Sequence, residues 1–199
     1  MANAQAPHST TSRYWLVPVL RAAIALVPAA AITFNADHSA EFGLLVFGVF
    51  ALLSGLAVGL LSRRSLADPR ERSLFQVQGA VGAAAGILAL VFHAGGLGFF
   101  LFLVSVWAAV TGFLELFSGI RARRRDPADR DWLLVGAFTA LLAVIFLLLP
   151  PNAVVSVGLF GAYLVMLGVY LAIAGFSLKW AGPEAARTLT ASPNDSDTQ

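Results

Sequence analysis

Six long apolar runs, joined by connections too short to fold on their own, leave this chain few options. They cover 14–34, 42–61, 74–92, 97–120, 132–149 and 153–180. Each is near the roughly 20 residues that carry a helix across about 30 Å of hydrocarbon. Lipid offers the backbone no hydrogen bonds, so apolar segments of this length are expected to be helical. Of the 199 residues, 58% are hydrophobic and 12% charged, whereas about a quarter of a soluble domain is charged. A soluble fold could not hide so much apolar surface. The expected fold is an all-α membrane protein whose six transmembrane helices occupy 13–180. Flanking it, 1–12 and 181–199 are low in hydrophobicity and are expected to be disordered tails. Arg13 and Ala29-Ala30-Ala31 give the first run some features of a secretory signal, but Arg21 interrupts its apolar region and its length suits a span.

Orientation follows from the basic residues. One loop holds Arg63, Arg64, Arg70 and Arg72, and another holds Arg121, Arg123, Arg124, Arg125 and Arg130. Arg13, Lys179 and Arg187 flank the ends on that side, while the opposite connections, NADHSA, HAGG and PPN, contain no Lys or Arg. Because retained cytoplasmic loops are rich in Lys and Arg, both termini are expected in the cytoplasm of a multi-pass plasma (inner) membrane protein. Trp15, Trp132 and Trp180 fall near the expected cytoplasmic ends, where indole rings favour the interface. Clustered in loops, the arginines point to anionic lipid head groups, at about 1 kcal/mol per residue near the surface, and to no nucleic acid.

Three hairpins repeat, over 13–64, 72–125 and 130–179. Gly55, Gly112 and Gly168 are spaced 57 and 56 residues apart, followed by Arg64, Arg123 (one position off) and Lys179. Gly79 and Gly136 match near the start of the second and third hairpins, with Ala22 in the first. All three hairpins start on the same side, which makes them parallel rather than inverted repeats.

The third hairpin, VGAFTALLAVIFLLLPPNAVVSVGLFGAYLVMLGVYLAIAGFSLK, resembles the short repeat of the HdeD-like acid-resistance membrane proteins. The shared pattern is a Gly-started helix, a Pro-containing turn, a Gly-rich return helix and a basic end. The second hairpin, with VTGFLELFSGIRARR, matches nearly as well. The first, WLVPVLRAAIALVPAAAITF, keeps the family's Trp and Arg but has Ala22 where Gly is usual, and neither of these two has Pro in its turn. The resemblance covers 14–179 and implies the six-helix fold together with a link to acid stress.

Arg21 lies seven residues into the first run, roughly 10 Å below its start. An arginine at a helix centre costs about +2.5 to +3.5 kcal/mol on insertion scales, less toward the interface, so a partner is expected. Glu115, the one carboxylate inside an expected span, is five residues from the end of the fourth run, at a similar depth of roughly 8 Å. Gln78 takes in the second repeat the place of Arg21 in the first, with Gln76 above it. These positions predict an intramembrane polar cluster of Arg21, Glu115 and Gln78. It reads either as a proton-sensitive or ligand-binding site, or as a snorkelling arginine in a structural ion pair that sets helix order, and the structural reading is preferred.

His93 and His38 fall near the outer helix ends, where histidine has the titration range of a pH sensor, although such residues usually only cap or face solvent. Gly79, Gly82 and Gly86 in the third run and Gly55 and Gly59 in the second are small residues suited to close helix packing, with Gly112 and Gly168 at the repeat positions. Their density makes the third helix the expected centre of the bundle. Tyr163 and Tyr170, seven residues apart, are expected to bond a neighbouring helix through their hydroxyls. With no cysteine, disulfides and thiolate chemistry are excluded. The spans contain no paired catalytic carboxylates, Ser/His arrangement or metal-ligand spacing, so no enzyme activity, cofactor or metal is expected. The preferred function is non-enzymatic, in acid or envelope stress, through binding another membrane protein or a second copy. The alternative is a small-solute or proton transporter or channel using Arg21 and Glu115.

Overall fold

The computed structural model describes the backbone of residues 16–65, 69–122 and 129–190, with side chains over 16–60, 72–120 and 133–180. Among the described residues there are six helices and no strand: α1 (Leu16–Phe34), α2 (Ala40–Ser65), α3 (Pro69–Val91), α4 (Gly96–Ala122), α5 (Asp129–Leu148) and α6 (Ala153–Thr190). Each coincides with one of the six apolar runs. Five of them, α1, α2, α3, α4 and α6, are long and apolar enough to cross a membrane. The apolar stretch of α5, Leu133–Leu148, is shorter, roughly 24 Å of helix.

One expectation at the chain's end is corrected. Residues 181–190, read from composition as part of an unstructured tail, continue α6 to Thr190. Low hydrophobicity argues against burial, not against helix, and extending an existing helix needs no new nucleus. The tail over 1–12, the residues beyond 190, most of the basic loops, Trp15 and the Trp132 side chain lie outside the described residues.

Helix starts have local causes. Ser39 caps α2, its Oγ accepting from the Phe42 amide at 3.2 Å, and Asn152 caps α6, its Oδ1 accepting from the Val155 amide at 3.1 Å. The turn into α4 places Gly96 at φ 75°, a left-handed conformation that a side chain would strain.

The most extensive contacts join α2 to α3, α4 to α5 and α1 to α6, while α1–α2, α3–α4 and α5–α6 meet less extensively. The return helix of each expected repeat therefore packs on the outgoing helix of the next, and α6 packs back on α1. The pairs are antiparallel: along α2, Gly48, Gly55 and Gly59 meet Gly86, Ala83 and Gly79 in turn. Equivalent positions meet in each seam. A methyl added at Gly55 would lie 2.5 Å from the Ala83 amide nitrogen, one at Gly112 2.6 Å from that of Ala140, and one at Gly168 2.5 Å from the Leu26 side chain. Small residues thus set the helix separation.

The expectation that α3 forms the centre is corrected. Its one extensive contact is with α2, with a lesser one to α4, and 39% of its apolar stretch is buried against 56% for α2. Its glycines bring one face against α2, while Val77, Ile87, Leu88 and Val91 are exposed. The interior is aromatic. Phe47 and Phe50 each pack edge-on against Trp107 and Phe160, and Phe100 does so against Phe146 and Phe160. Outside, large apolar side chains such as Phe34, Leu60, Phe113, Ile120 and Leu147 are exposed, a surface that suits lipid and not water.

Candidate functional site

Three helices bring Arg21, Gln78 and Glu115 together, as their matching depths predict. Gln78 Nε2 on α3 donates to Glu115 Oε1 on α4 at 2.6 Å, and Arg21 Nη2 on α1 lies 3.5 Å from the same oxygen. The amide is therefore the close partner, and the guanidinium is an ion-pair neighbour beyond the usual 2.7–3.2 Å hydrogen-bond range. The Arg21 side chain is 11% exposed and that of Glu115 4%. The second oxygen, Oε2, is buried and accepts no hydrogen bond from any described residue. Gly136 allows α5 to lie directly behind: a methyl there would come within 2.9 Å of Glu115 Cβ.

A second polar unit adjoins the first. Thr139 on α5 and Tyr163 on α6 share a hydrogen bond of 2.9 Å, and Thr139 Oγ1 donates to the Val135 carbonyl at 2.8 Å. A hydroxyl has one proton, so Tyr163 donates to Thr139. Tyr163 thus bonds a neighbouring helix as expected, and the ring of Tyr170 packs edge-on against Phe138. Thr139 was not anticipated. The signal lay in the repeat spacing, since Thr139 follows Gly82 by 57 residues, as Gly82 follows Ala25, and so replaces a small residue with a polar one.

Both units border a cavity of about 20 Å3 lined by residues from α1 to α6. The lining follows a regular spacing. Arg21, Gln78 and Val135 are spaced by 57 residues, and Phe50, Trp107 and Tyr163 by 57 and 56, as are Ser54, Thr111 and Leu167. Positions spaced by 57 or 56 residues thus meet at a common centre, with different chemistry at each. Arginine and glutamate cancel in formal charge, and the low-dielectric interior strengthens their attraction while raising the cost of either one alone.

The other singled-out residues lie elsewhere. His38 and His93 sit on the α1–α2 and α3–α4 turns at the opposite end from Arg21, with Nδ1 3.4 Å from the Ala36 carbonyl oxygen and 3.2 Å from that of Leu90. Neither joins the cluster. Gly79, Gly82 and Gly86 face α2 backbone, whereas a methyl at Gly59 would find its nearest neighbour, Gly79 Cα, at 3.9 Å. Among the described residues, no three His, Cys, Asp or Glu side chains converge as a metal site would require.

Residues 77–149 match the family model described as "Short repeat of unknown function (DUF308)", a membrane-protein family. The match runs from within α3 through α4 to the end of α5, and so includes Gln78, Glu115 and Thr139 but not Arg21 or Tyr163. No curated protein and no solved structure matches the chain.

Proposed function

We propose that this multi-pass membrane protein is a non-enzymatic scaffold of HdeD-like type, built from three parallel hairpins with six spans and with both termini in the cytoplasm of the plasma membrane. It acts in acid or envelope stress by binding another membrane protein through its lipid-facing surface, with anionic lipid held at the arginine loops. In this reading α5 spans alongside α4, which covers the face that its shorter apolar stretch turns inward. One observation carries the proposal: Glu115 is buried and tied to α1 and α3, an arrangement suited to bracing the bundle.

A double-mutant cycle on Arg21→Ala and Glu115→Ala tests the brace. Removing one partner of a buried pair costs about 3–5 kcal/mol, so each single variant should unfold at markedly lower denaturant in detergent, with strongly non-additive losses. Acid survival of cells should then follow stability alone, and the scaffold should co-purify with a membrane partner that Glu115→Gln leaves bound. The competing reading is transport of a proton or small solute past Arg21 and Glu115, favoured by the cavity bordering that pair. It requires Glu115→Gln to abolish flux in a protein that still folds, and that result would displace the scaffold.

A further inference from the structure

The central cavity measures about 20 Å3, and one buried water needs roughly 10–15 Å3 of such space. Glu115 is 3% exposed, and its Oε2 accepts nothing from the described residues although Oε1 receives the Gln78 amide. Buried polar atoms as a rule find a partner, in the protein or in ordered water. The hydroxyl proton of Thr111 does not serve, being donated to the carbonyl of Trp107 at 2.6 Å. Ser54 and Trp107 also line the cavity, and both carry donors. The oxygen of Thr111 keeps its capacity to accept.

We propose that this cavity binds a single water molecule, which donates to Glu115 Oε2 and to Thr111 and accepts from the Ser54 hydroxyl. Three partners lie within the usual range for an internal water. The volume is close to that of one such site, and a cation is disfavoured because Arg21 Nη2 is already 3.5 Å from the carboxylate. The water supplies what the third repeat does not, since Leu167 and Leu171 stand where the first two repeats place Ser54 and Thr111, and Val58 and Glu115. The site holds whether the cluster braces the bundle or lies on a transport route.

X-ray radiolysis tests it, because hydroxyl radicals formed from a bound water oxidise the rings beside it. In lipid nanodiscs, Trp107 and Tyr163, which line the cavity, should oxidise several-fold faster than Phe100 and Phe146, after correction for ring reactivity. Those two are core residues outside the cavity lining. Ser54→Val should bring Trp107 and Tyr163 down to the Phe100 level. Should that variant fail to fold, Thr111→Val, which removes another cavity hydroxyl at nearly constant volume, should do the same. Equal oxidation of the four rings in the wild type overturns the proposal. Fast oxidation that persists unchanged in a folded variant places the water elsewhere and also overturns it.

Discussion

The α2–α3 and α1–α6 seams carry glycines at matched spacing, Gly55 and Gly168, and meet in different ways. At the first, a methyl on Gly55 would lie 2.5 Å from the Ala83 nitrogen and 2.7 Å from the Gly79 carbonyl oxygen, so backbone faces backbone. At the second, a methyl on Gly168 would meet the Leu26 side chain at 2.5 Å, with the Ala22 carbonyl oxygen 3.3 Å away. The α4–α5 seam follows the first pattern, with Gly112 set against the Ala140 nitrogen at 2.6 Å. A glycine facing backbone determines how close two helices stand, whereas one facing a leucine tip touches something that can rotate away. Glycines at matched spacing therefore need not matter equally.

The largest effect is expected from Gly55→Ala. Its methyl can be housed only by separating α2 from α3, so unfolding in detergent should show a loss of about 3 kcal/mol, the upper end for overpacking. A loss as small as that of the Gly168 variant would erase the distinction between the seams. Gly168→Ala should cost about 1 kcal/mol, because Leu26 can change rotamer. Coupling sharpens the contrast: Leu26→Ala combined with Gly168→Ala should cost about 1 kcal/mol less than the two single losses together, since the added methyl enters the space the leucine leaves. Additive losses would show that Leu26 is not what Gly168 accommodates. The smallest effect belongs to Gly59→Ala. With its nearest neighbour at 3.9 Å, this variant should be neutral or gain up to about 1 kcal/mol from helix propensity, and a clear loss would mean that the α2–α3 seam tolerates no methyl anywhere.

The polar cluster was legible for a related reason. Arg21, Gln78 and Glu115 stand out because polar residues are rare in these runs, and counting residues from the helix ends sets their depths. Counting could not rank the partners, and charge made Arg21 look like the principal one. In the structure Gln78 makes the 2.6 Å contact while Arg21 stays at 3.5 Å. Thr139 was passed over because threonine is unremarkable in a membrane helix, and only its position opposite Tyr163 makes it part of the site. The glycines of α3 suggested a central helix because they mark close packing, yet close packing against α2 alone leaves a helix at the edge.

From the sequence by itself came six helices, their approximate limits and the common depth of the three polar residues. Those features follow from the length and composition of each segment, on which the thickness of hydrocarbon and the need to satisfy the backbone act one segment at a time. Tertiary structure decided which helices pair, which side chain reaches Glu115 first and where the cavity lies. These depend on how each helix is rotated about its axis and on separations of about an ångström between helices. A soluble helix announces its inner face through an apolar stripe, but helices apolar on every side carry no such mark. Only packing one against another chose the face that turned inward.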